Sequence, residues 1–524
     1  MRPVDTEVLV VGAGPVGLTL AIALGQAGVR CTLVERKEAP QFLPKMERCN
    51  ARTMEIFRRM GLAGKVRAAG LPVGVPMDVY LILAMNRAPL LRHPYPSVEE
   101  ARREIDACTD GSLPLEPYQL ISQYTLEPLL KAEAEKLVNV RYGCEFLSLT
   151  QDASGVSARI RDGKAETEIR SEYLVGCDGG GSLVRQQLGI ALAGEGDILR
   201  LRQALYRCDE LFDRMPIGPG PGHGRHYHVA DGQATFLIMQ DSTRHWTLHA
   251  VVERDEDMAR QFEKTVGVPV KYEMLYVGEW KQNLLLAERY RERRVFLAGD
   301  AVHLVIPTGG LGMNSGVGDA VDLAWKLAGT LRGWGGPRLL DAYEAERRPV
   351  GERNVAASRY ASLGRRKWRS LWRDLDQLVA VAEVEQRKSN EMIGAELGYR
   401  YAGSPLVAEE PGGPDDDLRK YLPTTWPGAR LPHVWLQGHV ALQDRLGSGY
   451  TLLRFSREDT SGLEKAMKAR GAPFAVLDLP DSAARELCGF DLILLRPDLH
   501  VAWRGNRAPQ APDRLAARIT GHLE

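Results

Sequence analysis

Short apolar runs separated by an apolar helix open the chain, and this pattern predicts parallel strands joined by helices. Residues 8–11 form a continuous apolar run of strand length, and residues 18–24 continue as an apolar helix. A second apolar run of strand length covers residues 29–34. Strand, helix and strand in this order predict a βαβ unit, with a parallel sheet that is buried on both faces.

Residues 190–284 have a different pattern, in which apolar and polar positions alternate as in antiparallel strands. Alternation covers residues 225–230, 233–240 and 245–253, and Asp231-Gly232 has the composition of a two-residue hairpin turn. We expect an inserted mixed or antiparallel sheet.

The register of these strands predicts which side chains share a face. A two-residue turn pairs Tyr227 with Phe236, and a four-residue turn at residues 241–244 brings His249 beside them. We take these three as candidate substrate residues, although a tyrosine or histidine on a sheet is often purely structural. The other face then carries His226, His228, Leu237 and Trp246.

The rest of the chain divides by composition into a charged helical stretch, a linker and a final domain. The helical stretch covers about residues 340–398, and a Pro- and Gly-rich segment follows. We therefore expect these divisions: 1–189, first segments of the domain that begins with the βαβ unit; 190–284, the inserted sheet; 285–400, last segment of the first domain with connecting helices; 401–432, linker; and 433–524, C-terminal domain.

Composition excludes several classes of protein. The 524 residues are too many for one core, and 68 basic against 68 acidic residues leave no charge that would attract nucleic acid or a membrane surface. No apolar run is long enough to span a membrane, and we expect a cytoplasmic protein. Seven cysteines without a Cys-x-x-Cys pair predict neither a disulfide framework nor a metal site. Oligomeric state stays open, a homo-oligomer included.

A glycine fingerprint follows the first predicted strand directly. The residues are Gly12-Ala13-Gly14-Pro15-Val16-Gly17, and the second strand ends in Glu35, followed by Arg36. In such a fingerprint the first glycine permits a tight turn, the second lets a pyrophosphate approach the backbone, and the third lets helix and strand pack closely. An acidic residue at the end of the second strand, here Glu35, binds the ribose hydroxyls. These residues predict a dinucleotide site.

A second glycine-rich motif lies almost 300 residues later. A predicted strand ends in Gly299-Asp300, and the turn Gly309-Gly310-Leu311-Gly312-Met313-Asn314 precedes a helix predicted over 315–331. Backbone N–H groups at such a helix start favour negative charge. By contrast, the Pro-broken segment 218–224 follows no strand and predicts a surface loop, so no separate nicotinamide fingerprint is found.

Together these motifs resemble those of the flavoprotein aromatic hydroxylases, single-component FAD monooxygenases related to p-hydroxybenzoate hydroxylase and phenol hydroxylase. Cys177-Asp178-Gly179-Gly180 resembles the family's Asp-Gly motif, and residues 121–127 resemble its glutamine-bearing helix. Residues 492–505 resemble the closing hairpin of a thioredoxin-like C-terminal domain. The resemblance implies an α/β fold, with a Rossmann-type FAD domain like that of p-hydroxybenzoate hydroxylase, an inserted substrate sheet and a thioredoxin-like domain without a dithiol.

FAD is the cofactor that the resemblance implies, with NADPH or NADH as transient electron donor. Many members of the family have Arg-Ala where this chain has Lys45-Met46, and lysine keeps the charge but loses the planar guanidinium. His303 is expected to be structural. The expected FAD-binding residues are Gly12, Gly14, Pro15, Gly17, Glu35, Arg36, Lys45, Gln123, Asp178, Gly179, Asp300, Gly312, Met313 and Asn314.

The resemblance also implies the reaction, in which NAD(P)H reduces FAD and a flavin hydroperoxide transfers oxygen to a phenolic or polycyclic ring. Glu47 is the candidate acid or base, and the alternative for it is an ion pair with Arg48 or Arg52. Pro307 lies in a loop whose carbonyl contacts the substrate or peroxide in relatives.

Two other functions remain open. The same fold could support a Baeyer–Villiger oxidation or the removal of a ring substituent, or it could hold flavin as a ligand sensor without turnover. Retention of both the Asp-Gly and the Gly-Asp motif argues against the sensor.

Overall fold

The structure is a computed structural model that describes residues 4–43, 45, 47–215 and 225–523. The loop predicted at residues 218–224 lies outside the described residues. In the described part of the chain, the strands are β1 (Thr6–Val11), β2 (Cys31–Glu35), β3 (Arg48–Cys49), β4 (Val79–Ile82), β5 (Leu91–His93), β6 (Gln119–Leu120), β7 (Asn139–Tyr142), β8 (Cys144–Gln151), β9 (Val156–Asp162), β10 (Ala165–Gly176), β11 (Leu192–Arg207), β12 (His226–Val229), β13 (Phe236–Met239), β14 (His245–Ala250), β15 (Glu273–Ala287), β16 (Arg291–Glu292), β17 (Val295–Leu297), β18 (His303–Leu304), β19 (Trp435–Leu436), β20 (Val440–Ala441), β21 (Tyr450–Arg454), β22 (Phe474–Asp478), β23 (Leu492–Leu495) and β24 (Val501–Gly505).

The helices of the same residues are α1 (Pro15–Gln26), α2 (Ala51–Arg59), α3 (Ala63–Ala69), α4 (Val98–Ala107), α5 (Gln123–Ala134), α6 (Leu183–Gln187), α7 (Leu211–Arg214), α8 (Asp257–Val266), α9 (Gly312–Leu331), α10 (Arg338–Arg369), α11 (Leu375–Glu385), α12 (Arg387–Asn390), α13 (Ile393–Leu397), α14 (Ser461–Ala469), α15 (Ser482–Cys488) and α16 (Pro512–Ile519). No helix among the described residues is both long and apolar enough to cross a membrane.

The first sheet is built around β1, with the order β16-β17-β10-β1-β2-β7 and with β8 and β9 attached at β10. The strands β17, β10, β1, β2 and β7 are parallel. Their apolar side chains are buried between helices that include α1 and α9. Fully buried strands of this kind form because a sheet covered on both faces needs continuous apolar runs rather than alternation, and residues 8–11 are such a run.

The parallel register brings the carboxyl ends of four strands to one edge of this sheet. Val11 at the end of β1 lies opposite Val34 in β2 and Gly176 in β10, and Gly176 in turn lies opposite Leu297 in β17. The loops that follow these strands carry the glycine fingerprint, the ribose acid, the Asp-Gly motif and the Gly-Asp motif. In open α/β sheets this edge is where ligands bind.

The second sheet has the order β18-β15-β11-β14-β13-β12-β4-β5 and is antiparallel except for the β12–β4 pair. Its strands β4, β5 and β18 come from outside residues 190–284, the range predicted for the substrate sheet. One face packs on an apolar core that includes Tyr206, Trp246 and Phe262. The other face turns toward the loops at the edge of the first sheet.

The C-terminal domain contains a four-stranded mixed sheet with the order β22-β21-β23-β24. The strands β21 and β22 are parallel and joined through α14, whereas β23 and β24 form an antiparallel hairpin. This is the thioredoxin-like arrangement that the sequence predicts. Its single cysteine, Cys488, is buried and free.

Buried ion pairs join the predicted linker and this C-terminal domain to the first domain. Arg430 pairs with Glu55 of α2, and both side chains are 1% exposed. Arg496 lies between Glu346 of α10 and Asp498, with N–O distances of 2.5 and 2.7 Å. The segment predicted as a linker is packed as well, since Leu406 and Val407 are fully buried.

Candidate active site

The glycine fingerprint forms a tight turn between β1 and α1. Gly12 has φ +105°, and a Cβ there would lie 2.4 Å from the carbonyl oxygen of Cys177. A Cβ on Gly17 would lie 2.0 Å from the carbonyl oxygen of Gly12, so this glycine lets the helix approach the turn. A Cβ on Gly14 would meet nothing within 4 Å, and Pro15 is the first residue of α1. The turn is therefore packed on the protein side and open at Gly14.

Glu35 is held at the end of β2 by two backbone N–H groups. Ala13 N donates to Oε2 at 2.9 Å, and Lys37 N donates to Oε1 at 3.1 Å. Each carboxylate oxygen keeps a lone pair that can accept a ribose hydroxyl. Arg36, the next residue, is exposed and lines the same cavity.

The Gly-Asp loop after β17 is held from behind by a buried network. Asp319 of α9 accepts from Gly299 N at 3.1 Å, lies 2.8 Å from His303 Nε2, and accepts from Arg347 Nε at 2.7 Å. Burial raises the pKa of the Asp319 carboxyl, but Arg347 and His303 outweigh it and lower the pKa to about 2. His303 is thus structural, as the sequence predicts.

Asp300 itself points into the cavity. No hydrogen bond from another described residue reaches its carboxylate, and its side chain is exposed there. The surrounding protein raises the pKa of Asp300 by desolvation, while His303 and Lys45 act in the opposite direction. A carboxylate in this position is free to accept hydrogen bonds from the hydroxyl or N–H groups of a ligand.

The start of α9 closes the cavity opposite the fingerprint. Asn314 Oδ1 accepts from Asn50 N at 2.9 Å, and its Nδ2 donates to the carbonyl oxygens of Arg48 and Gly310 at 3.1 and 2.6 Å. Its side chain therefore joins two loops, while Gly312, Met313 and Asn314 line the cavity at the positive end of a 20-residue helix.

The remaining predicted cofactor residues also line this cavity. Gln123 donates to Glu127 at 2.5 Å at the start of α5, and Lys45 and Gly179 face the same space. Asp178 has a structural contact too, because Ser182 Oγ donates to it at 2.5 Å and Val184 N at 3.1 Å. It thereby anchors the start of α6.

All these groups enclose one continuous cavity of about 740 Å³. The open approach at Gly14 suits the diphosphate of FAD, and the acid Glu35 suits the ribose. Asp300, whose carboxylate has no hydrogen-bond partner in the described part of the chain, suits the ribityl chain, and the helix start at Gly312 suits the flavin ring. The residues present therefore fit FAD, and the cavity continues past the flavin position to the second sheet.

The second sheet presents an aromatic and histidine face to this cavity. Phe236 pairs with His249, as predicted, and their rings stack with centroids 4.3 Å apart. Both line the cavity together with His226, Gln203 and Trp280.

The prediction that Tyr227 shares this face was wrong. Tyr227 lies opposite Leu237, not Phe236, and it packs in the core on the other side of the sheet. The predicted two-residue turn is instead a longer loop, because β12 ends at Val229 and Val229 N donates to Thr235 O. A shift of one residue in register moves every side chain of a strand to the opposite face, which is why His226 replaces Tyr227 in the cavity.

Glu47 lies at the junction between the flavin position and this face. Its Oε1 is 2.8 Å from His226 Nε2. The alternative ion pairs with Arg48 and Arg52 do not form, because Arg48 pairs with Glu396 and Arg52 with Glu55. Burial opposes ionisation, but His226, Arg225 and Arg48 lower the pKa of Glu47 to about 2.

Pro307 is exposed to the cavity, yet its carbonyl oxygen already accepts a hydrogen bond from Gly310 N at 3.0 Å. One lone pair of this oxygen remains for a ligand.

Sequence reasoning missed the cavity residues of α10. These are Ser362, Arg365, Arg366 and Arg369. Their spacing of three, four and seven residues was the available signal, since it puts them on one face of a helix.

Comparison with known proteins identifies the family of this chain. The FAD binding domain family matches residues 5–358, and the family described as aromatic-ring hydroxylase, C-terminal, matches residues 424–523. The chain therefore belongs to the FAD-dependent aromatic-ring hydroxylases, and it is an FAD-dependent monooxygenase.

Two similar proteins are enzymes of this class. The FAD-dependent monooxygenase apdD of Emericella nidulans is 32% identical over 98% of this chain and 90% of its own. Aklavinone 12-hydroxylase RdmE of Streptomyces purpurascens is 34% identical over 97% of both chains.

Solved structures share the whole fold. RebC, a rebeccamycin biosynthetic enzyme, aligns with a TM-score of 0.90 at 29% identity and full coverage of both chains, in a structure with bound 7-carboxy-K252c. Aklavinone-11 hydroxylase with FAD and aklavinone aligns with a TM-score of 0.84 at 31% identity, over 99% of this chain and all of that one.

Proposed function

We propose that this enzyme hydroxylates a phenolic ring of a polycyclic aromatic compound, with NADPH or NADH as electron donor and O2 as oxygen source. The observation that carries the proposal is the single cavity that joins the FAD residues to an aromatic and histidine face. The relative RdmE is named as an aklavinone 12-hydroxylase, and the solved structure of aklavinone-11 hydroxylase contains aklavinone together with FAD. FAD bound in this cavity would supply the electron transfer and oxygen activation that no protein side chain provides.

The fingerprint turn, Glu35 and Asp300 would hold the cofactor, and the helix start at Gly312 would stabilise negative charge on its ring. The protein then has to orient the phenol and exclude water from the reacting centre. Phe236, His249 and Trp280 form an aromatic wall suited to stacking on a flat ring system.

We further propose that Glu47 and His226 hold the phenol hydroxyl. Burial lowers the pKa of His226 to about 4 although Glu47 acts to raise it. At neutral pH the pair is therefore a carboxylate and a neutral imidazole, so His226 Nε2–H donates to Glu47 Oε1. This hydrogen bond positions the carboxylate, which accepts a further hydrogen bond from the phenol. A carboxylate with a pKa of about 2 is too weak a base to remove a phenol proton by itself, and we assign it orientation rather than proton abstraction.

Substrate-dependent NADPH and NADH oxidation in air tests the proposed function, with a panel of phenols, naphthols and polycyclic quinols and mass spectrometry of the products. A product heavier by one oxygen atom, formed only with substrate and cofactor together, is the expected result. Oxygen inserted beside a ketone would point to a Baeyer–Villiger reaction instead, and stimulated oxidation that yields only hydrogen peroxide would identify a ligand that is not the substrate.

The Glu47→Gln variant tests the assignment of the phenol contact. It keeps the shape of the side chain but loses the charge, and a hydrogen bond to a charged group contributes about 1.5–3 kcal/mol. We therefore expect kcat/KM to fall by about 10- to 150-fold while the bound FAD and its absorbance stay unchanged. An unchanged kcat/KM would exclude a contact with substrate, and loss of FAD would assign Glu47 to the cofactor site.

A further inference from the structure

Three arginines of α10 form a basic stripe along the cavity. Arg365, Arg366 and Arg369 follow Ser362 at helical spacing, and all four residues line the cavity. We call Arg365, Arg366 and Arg369 the arginine stripe. It lies on the substrate side of the cavity, since the Arg365 guanidinium lies 6.0 Å from the centroid of the Phe236 ring. The FAD diphosphate position at the fingerprint turn lies on the other sheet.

The stripe has no carboxylate partner among the described residues. Arg365 Nε donates to Ser389 Oγ at 3.1 Å, and the Arg369 guanidinium lies 5.2 Å from the Trp368 ring. The Arg369 atoms Nε and Nη2 are buried without a hydrogen-bond partner in the described part of the chain. Arg365 and Arg369 are half-buried as residues, but N–H groups of a guanidinium that are shielded from water without an acceptor are costly, and an anionic acceptor would offset that cost.

The pKa values of two of these arginines also indicate that too little negative charge surrounds the stripe. Burial, with Arg369 and Arg225 nearby, lowers the pKa of Arg365 to about 9, although Glu47 acts to raise it. Burial lowers the pKa of Arg369 to about 10, with Asp231 the opposing group. Glu47 is engaged by His226 and Asp231 by the backbone N–H of Gln233, and neither acid forms an ion pair with the stripe in the described part of the chain.

We propose that the arginine stripe binds a carboxylate carried by the aromatic substrate, which makes this enzyme selective for hydroxylated aromatic acids. The inference rests on the proposed function, because it names the substrate class of the same cavity. A guanidinium presents two parallel N–H donors that match the two oxygens of a carboxylate. With the carboxylate at α10 and the phenol at Glu47, the ring between them would lie against Phe236 and His249.

Binding to the FAD-loaded enzyme without NAD(P)H tests the inference apart from turnover. The probes are 6-hydroxy-2-naphthoate and its methyl ester, which carry the hydroxyl and the carboxyl group at opposite ends of the ring system and differ only in charge. Isothermal titration calorimetry measures the affinity of both. We expect the acid to bind at least tenfold more tightly than the ester. Arg369→Met should remove most of that preference while ester affinity stays within about twofold. Lys367→Met is the matched control, since Lys367 lies on the same helix but pairs with Glu385.

Arg366→Met provides a second variant that should fold normally, because Arg366 is exposed to the cavity. Equal affinity of wild type for acid and ester would overturn the inference, as would an equal loss of both ligands in the variants. Weaker NADPH binding with an unchanged acid-to-ester ratio would assign the stripe to the dinucleotide phosphate and overturn it too. If the preference is found but no aromatic compound yields a hydroxylated product, the proposed function fails and the carboxylate site stands.

Discussion

Replacing Arg496 by methionine should strongly destabilise the contact between the C-terminal domain and the first domain. The guanidinium is fully buried and contacts three carboxylates, those of Glu346, Asp498 and Asp322, at distances of 2.5 to 3.2 Å. Lys326 is the other cation of the cluster and bonds to Asp322 and Glu346. These two cations lower the pKa of Glu346, whereas burial and the neighbouring acids raise that of Asp322. The cluster is thus close to neutral before the change.

Loss of Arg496 leaves one uncompensated negative charge in a site without water access. Breaking a buried ion pair by removing one partner costs about 3–5 kcal/mol, and we expect about 4 kcal/mol here because several hydrogen bonds are lost together. Urea unfolding of the FAD-loaded enzyme, followed by flavin fluorescence and circular dichroism, measures the change, and limited proteolysis shows whether the C-terminal domain is released first.

Two further variants make this prediction specific. Arg507→Met is the surface control, since Arg507 is 85% exposed and pairs with Glu458, and it should cost less than about 0.5 kcal/mol. Adding Glu346→Gln to the Arg496 variant removes the excess charge and should recover part of the loss. A change below about 1 kcal/mol for Arg496→Met, or no recovery in the double variant, would refute the reasoning.

Two more predictions concern the cofactor and pH. Asp300→Ala should weaken FAD retention through gel filtration, because it removes the acceptor for the ribityl hydroxyls; full retention would contradict the assignment of the second motif. Burial lowers the pKa of His226 to about 4 and that of His249 to about 3, below the unfolded value of about 6.5. Below pH 6.5 the unfolded chain binds protons at these histidines that the folded protein does not bind. Each histidine therefore lowers the free energy of unfolding as the pH falls toward 4, by about 2 kcal/mol at pH 5. Urea midpoints at pH 7 and pH 5 measure this loss, and His226→Gln should reduce it; equal midpoints would contradict the burial argument.

The cofactor half of the site could be predicted from sequence because each of its motifs is local. A glycine turn after an apolar strand, or an acid at a strand end, depends on residues within a few positions, and parallel strands bring such ends together automatically. Gly12, Glu35 and Asp300 can therefore be predicted as cofactor residues without knowledge of the fold.

The substrate half depends on longer-range geometry, which a single sequence does not determine. The pairing of β12 with β13 depends on the length of the loop between them. A two-residue turn at Asp231-Gly232 predicts a register that is wrong by one residue, so it places Tyr227 in the cavity where the structure has His226. The contribution of β4 and β5 to the sheet, and the approach of α10 to its open face, join segments more than 100 residues apart.

The parallel first sheet also limits when this enzyme can fold during its synthesis. On one side β1 pairs with β2 within about 30 residues, but its other neighbour is β10, and β10 in turn waits for β17 near residue 295. Until more than half of the chain has left the ribosome, the edge of the apolar strand β10 that pairs with β17 has no partner. Unpaired strand edges of this kind promote aggregation. The nascent chain therefore has a long interval in which chaperones would be needed, and fragments that end before residue 297 should be neither stable nor yellow.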